Sequence, residues 1–115
     1  MIREMLLYQT PGYRRPFEEW LEALKEAQSR RRIKARPDRL IAGNFGDTKL
    51  VETGVWELRF HFGPGYRVYF GLDGNVLVLL LCGGDKSTQG ADIERARKYW
   101  IDYLKRSSHE SSSGS

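Results

Sequence analysis

The sequence predicts an α+β domain in which a small antiparallel sheet, an N-terminal strand plus a three-strand meander, packs against two N-terminal helices and carries a C-terminal amphipathic helix. Three observations support this. Residues Val55 to Cys82 read as three strand-like runs separated by the turn signals Gly63-Pro64-Gly65 and Asp73-Gly74. Two segments before them and one after them repeat apolar residues at helical spacing. A chain of 115 residues with 40% hydrophobic content can close one modest core without disulfides or a structural metal.

Met5 to Tyr8 form a short candidate strand, ended by Thr10-Pro11-Gly12, where proline cannot extend a ladder and glycine favours a turn. Pro16 suits a first helical position. Glu18 and Glu19 complement the positive end of that helix, and Phe17, Trp20, Leu21, Leu24 and Ala27 share one stripe. From Gln28 to Asn44 a second, strongly basic helix is expected around Ile33, Leu40 and Ile41, with a kink or restart at Pro37 and an end at Gly43-Asn44. Asn44 to Asp47 reads as a polar turn, and Lys49-Leu50-Val51 leads into the meander.

In the first meander strand Trp56, Leu58, Phe60 and Phe62 alternate with Glu57, Arg59 and His61, the period of a strand buried on one face. A three-residue turn at Gly63 to Gly65 would set Phe62 opposite Tyr66, His61 opposite Arg67 and Arg59 opposite Tyr69. Val76 to Leu81 is unbroken apolar and reads as a strand covered on both faces. A two-residue Asp73-Gly74 turn would place Val78 and Leu80 on the face of Arg67 and Tyr69, so part of that face is expected to be covered by the last helix. Gly83 to Thr88 then reads as a flexible segment delivering Lys86 beyond the sheet; it lacks the glycine spacing of a phosphate loop. Thr88 is the expected cap of the final helix, with Asp92 and Glu94 early, Lys105 and Arg106 late, and Ile93, Ala96, Arg97, Trp100, Ile101 and Leu104 on one face. Residues 1–106 make one domain, and the polar, serine-rich residues 107–115 are expected to be unstructured.

The composition narrows the chemistry. The lone Cys82, at the end of an apolar strand, reads as a small buried hydrophobe and is compatible with a reducing cytoplasm. His61 and His109 are too far apart to suggest a metal site, nothing resembles a nucleophile elbow, and no cofactor is implied. No apolar run approaches the roughly 18 residues of a membrane span. The net charge of +4 permits an anionic partner. Arg31, Arg32 and Lys34 of the basic helix, with Lys49, are candidate RNA contacts, and the arginine run could equally meet an acidic partner protein; the alternative is a solvated helix face. Arg59, His61, Arg67 and Tyr69, with Lys86 nearby, suit metal-free attack of an RNA 2′-hydroxyl on its adjacent phosphate, because cations stabilise the added negative charge and a base removes the proton. The alternative is an ordinary solvent-facing strand pair.

The runs FEEWL, GNFGD, ELRFHFGPGYRVYF and LLLCGGDKSTQGADI resemble those of the phage-derived Gp49-like or HigB-like branch of the RelE/ParE toxin superfamily, the addiction-module killer proteins. The resemblance spans the chain from the Pro16 helix to the Ile93 helix. It implies that residues 1–106 are a toxin domain of a type II toxin-antitoxin pair, neutralised by an antitoxin with a helix-turn-helix DNA-binding domain, and that it cleaves mRNA without metal, often on the ribosome. Within the resemblance, Arg67 of Tyr66-Arg67-Val68-Tyr69 matches the arginine that contacts the scissile phosphate, and Arg59 and Lys86 fall in segments that carry basic residues. The C-terminal catalytic tyrosine of RelE-like toxins has no counterpart, since Tyr99 and Tyr103 lie in a helix expected to pack. His61 is then the candidate base, as an unperturbed imidazole exchanges protons near neutral pH, with Tyr69 second. Two other readings are a ParE-like toxin that binds DNA gyrase without catalysis, and an inactive homologue that acts as a binding module.

Overall fold

Five strands form one sheet in a computed structural model that describes residues 4–41, 46–74 and 77–113, with side chains described as far as residue 107. Their chain order is β1 (Glu4–Leu7), α1 (Pro16–Ala23), α2 (Ala27–Ile41), β2 (Thr48–Glu52), β3 (Val55–Arg59), β4 (Tyr66–Asp73), β5 (Leu77–Asp85), a 3-10 turn (Lys86–Thr88) and α3 (Gln89–Ser113). The strands lie side by side as β1-β5-β4-β3-β2. The α+β architecture and the meander are as expected, but the sheet is mixed: β1 pairs parallel to β5, and β2, which the sequence showed only as a lead-in, adds an outer strand antiparallel to β3.

Both faces of the sheet are covered. Phe17 and Leu21 of α1 and Ile33 and Leu40 of α2 pack on Leu58, Phe60, Val68, Phe70, Val78 and Leu80. On the other face Ala96 and Trp100 of α3 pack on Val55, Tyr69, Leu79, Leu81 and Cys82. Double coverage explains why β5 needs no polar alternation. Two tryptophans are seated on strand glycines of opposite faces: a Cβ at Gly71 would collide with the Trp100 ring and one at Gly83 with the Trp20 ring. Gly83 and Gly84 therefore do not form a flexible segment. They are buried residues of β5, which runs on to Asp85.

α2 passes through Pro37 without a break. Its buried side chains Ile33, Pro37 and Leu40 recur at i, i+4 and i+7, so the proline ring supplies one position of the apolar stripe. The expected Gly43-Asn44 end lies outside the described residues. Asp85, rather than Thr88, is the N-cap at the start of the C-terminal helical segment: its carboxylate accepts from the Ser87 N–H at 2.8 Å, and Thr88 returns the bond to the Asp85 N–H at 3.2 Å. α3 docks through Asp92, Ile93, Ala96, Tyr99, Trp100 and Tyr103, leaving Ile101 and Leu104 exposed. Its backbone continues to Ser113 with no break at residue 107. Among the described residues no helix is long and apolar enough to cross a membrane.

Candidate functional site

The C-terminal end of β3, the start of β4 and the C-terminal end of β5 meet at one end of the sheet, because Arg59 pairs with Arg67 and Arg67 with Gly84. This register differs by two residues from the expected one. The Gly65 N–H bonds to the Phe62 carbonyl at 3.2 Å and the Phe60 N–H to the Tyr66 carbonyl at 3.0 Å, so the connection takes in His61 to Gly65 rather than three residues. A shift of two preserves which face each side chain occupies, but it sets two arginines directly opposite each other on the ladder and takes His61 off it. The β4–β5 register departs as well: Leu72 pairs with Val78 and Phe70 with Leu80, which places Val78 and Leu80 on the α1/α2 face. Residues 75 and 76 of that turn lie outside the described residues.

The polar face of β3 and β4 is largely closed by α3. Glu57 is 1% exposed, Tyr69 0% and Arg67 9%. The Tyr69 hydroxyl donates to Glu57 Oε2 at 3.1 Å, and Gln89 Nε2 of α3 donates to the same oxygen at 2.7 Å. The other carboxylate oxygen lies 3.8 Å from Arg67 Nε. Burial, reinforced by the neighbouring Glu57 carboxylate, raises the Tyr69 phenol above its ordinary range, so it remains a proton donor inside the core rather than an exposed base. Arg67 reaches outward from this network, donating from one terminal nitrogen to the carbonyls of Gly65 at 3.0 Å and Tyr66 at 3.2 Å.

Arg59 is held differently. Asp47, just before β2, accepts from Arg59 at 3.0 Å with one oxygen and from the exposed His61 with the other. The bond from His61, aided by the Arg59 charge, holds the Asp47 carboxyl below the usual range. Lys86 is exposed at the first position of the 3-10 turn, across Gly65 from Arg67: a Cβ built on Gly65 would stand 3.4 Å from Lys86 Cβ and 3.5 Å from an Arg67 terminal nitrogen. Arg59, His61, Arg67 and Lys86 thus belong to one end of the sheet, with Tyr69 behind them in the core. Arg59 Nε and Arg67 Nε are both buried without a hydrogen-bond partner.

Of the candidate RNA contacts, Arg32 joins this end, where its guanidinium stands 3.8 Å from the centre of the Phe62 ring. Arg31 is exposed elsewhere on α2, Lys34 lines a separate cleft with Met5, Phe17 and Pro37, and Lys49 lies on the outer strand β2. Asp47, Glu57 and Gln89, which the sequence did not single out, also lie at this candidate site. Arg36 and Arg39 belong to the same basic run as Arg32, and the three recur at i, i+4 and i+7, one step out of phase with the buried stripe of the helix. Cys82 is buried, and its thiol is pushed up to about 12 by burial, which leaves it unreactive.

Fixed guanidinium groups, an exposed ammonium and an imidazole can together hold a phosphodiester, offset charge on it and exchange a proton. The chain matches the family described as phage derived protein Gp49-like over residues 19–100. A relative from Haemophilus influenzae, named only as an uncharacterized protein, is 53% identical over 81 residues, which cover 70% of this chain and 82% of the relative. The chain therefore belongs to the phage-derived Gp49-like family, a family of RelE/HigB-like toxin type.

Proposed function

We propose that this protein is the toxin of a type II toxin-antitoxin pair and that it cleaves mRNA without a metal ion, on the ribosome or free. The observation that carries the reading is the pairing of Arg59 with Arg67. Like charges directly opposite on neighbouring strands are disfavoured. A phosphate bound at their terminal nitrogens relieves that cost. Arg67 and Arg59 hold the scissile phosphate and take up the charge of the transition state, Lys86 approaches it from across Gly65, and His61, oriented by Asp47, removes the 2′-hydroxyl proton; the 2′-oxygen closes a 2′,3′-cyclic phosphate as the P–O5′ bond breaks, and the departing 5′-oxygen takes its proton from water. Tyr69 and Gln89 act through Glu57, which fixes the direction of Arg67. The family implies an antitoxin partner; in this reading it is a helix-turn-helix protein encoded beside the toxin, and both act in the cytoplasm.

Inducing the chain alone should arrest growth with loss of translation, and co-expressing the antitoxin should restore it. Primer extension on a reporter mRNA should show cuts that persist in EDTA. Arg59→Ala should reduce cutting by about a hundred- to a thousandfold, the usual cost of one preorganised donor, with the melting temperature nearly unchanged. Arrest accompanied by DNA breaks and intact mRNA would replace this reading with gyrase binding, and a folded protein that arrests nothing would leave it a binding module. Cleavage abolished by EDTA would overturn the metal-free step.

A further inference from the structure

Beside the Arg59 and Arg67 pair lies a second feature, a cleft of about 360 Å³ between α2 and the β3–β4 connection, lined by Arg32, Arg36, Arg39, Phe60, His61 and Phe62. Its floor is aromatic and its wall cationic. The Arg32 guanidinium lies 3.8 Å from the centre of the half-buried Phe62 ring, and the Arg36 guanidinium 5.2 Å from that of Phe60. Phe62 is held from behind by Phe60 at 5.8 Å and Tyr66 at 5.6 Å, both edge-on, so its orientation is fixed by packing. A guanidinium over a partly exposed ring is held only weakly, so a planar base can slip between the two. Arg36 also abuts Gly46, which precedes the Asp47 that holds Arg59 and His61, so the cleft runs into the Arg59 cluster.

We propose that this cleft is a nucleotide subsite for single-stranded RNA, in which the base next to the cleaved linkage stacks on the Phe62 and Arg32 platform while Arg36 and Arg39 hold the adjoining phosphate. The proposal rests on the nuclease reading for the position of the cleaved linkage; the cleft itself does not depend on it. A stacking platform beside clustered arginines binds bases through their π-faces and the backbone through its charge, so the subsite tolerates different bases and weakens with salt. An acidic peptide would satisfy the arginines but leaves the aromatic floor unused, which favours RNA.

The test uses the full chain and a six-nucleotide RNA made uncleavable by 2′-O-methyl groups, with 2-aminopurine placed at each position in turn. Wild-type protein should bind it and quench the fluorophore strongly at one position. Phe62→Leu, which keeps the apolar packing but removes the π-face, should abolish that quenching and weaken binding by at least about fivefold. Arg32→Gln, an exposed change that does not threaten the fold, should weaken binding, and Arg39→Gln, equally exposed, should lower the slope of log affinity against log salt by about 0.7. Quenching lost in Phe62→Leu supports the subsite even if cleavable RNA is never cut, in which case the nuclease reading fails alone. Cleavage of unmodified RNA with no position quenched, or with Phe62→Leu and Arg32→Gln both binding as wild type, overturns the subsite and spares the nuclease. Failure to bind the RNA while a polyglutamate peptide binds also overturns it and marks the cleft as a protein-docking surface.

Discussion

The two faces of the sheet are sealed by different chemistry. Beneath α1 and α2 the buried set is apolar but for Ser29, from Phe17 and Ile33 to Phe70 and Leu80, and among the described residues it holds no charge. Beneath α3 the buried set includes Glu57, Arg67 and Asp92 beside Tyr69 and Trp100. Apolar contacts are non-directional and tolerate small shifts, whereas a buried charge must be met by a partner in a defined place. The first face supplies stability. The second places a carboxylate, held by Tyr69 and Gln89, 3.8 Å behind Arg67, whose terminal nitrogen is held by the Gly65 and Tyr66 carbonyls.

The comparison is broken most forcefully by truncating the apolar face. Phe70→Ala, at a fully buried position, should cost about 3–5 kcal/mol in urea unfolding while leaving activity per folded molecule within about twofold. Next comes Glu57→Leu, which leaves a largely buried guanidinium facing no carboxylate; a loss of about 3 kcal/mol is expected together with lost activity. The double change Glu57→Leu with Arg67→Met should recover most of that stability and none of the activity. If the double variant stays active, the polar face has no functional purpose.

Gly71→Ala and Gly83→Ala sharpen the contrast, since the tryptophan collisions they cause do not depend on charge: each should cost about 1–3 kcal/mol by thermal melting, and the two faces should respond alike. The smallest effect concerns pH. The Asp47 carboxyl is lowered in the folded protein, so its contribution is complete above the unfolded value near 3.9 and is lost as pH falls through the folded value. Asp47→Asn should therefore cost less than about 1 kcal/mol near neutrality, as for an exposed ion pair, and the deficit should vanish as pH falls through the folded value, which flattens the acid limb of the stability profile.

Much of this contrast was legible beforehand, though not its meaning. The alternation of Glu57, Arg59 and His61 with Trp56, Leu58 and Phe60 separated the two faces correctly, since parity survives a register error of two. It could not separate a solvated polar face from a buried polar network, because the same residue types serve both. The deciding features were glycines: Gly71, Gly83 and Gly84 allow Trp100, Trp20 and Asp92 to approach the strands, and in the sequence the last two look like part of a flexible segment. Pro37 misled for a related reason, as its ring fills an apolar position in a stripe that the backbone can hold without one hydrogen bond. The parallel pairing of β1 left no local trace at all, since nothing in four residues names a partner so distant in the chain.

That distance has a consequence for the order in which the molecule is made. Glu4 to Leu7 leave the ribosome about seventy residues before their neighbours Leu77 to Leu80, so the edge of the sheet waits until β5 is made. β4 waits for the same strand, and with it Arg67, which is paired on one side by Gly84. A nascent chain that has not yet released β5 therefore has no finished arginine pair to present. In a protein whose proposed target is mRNA, that timing keeps the unfinished polypeptide harmless to the message still being read to make it.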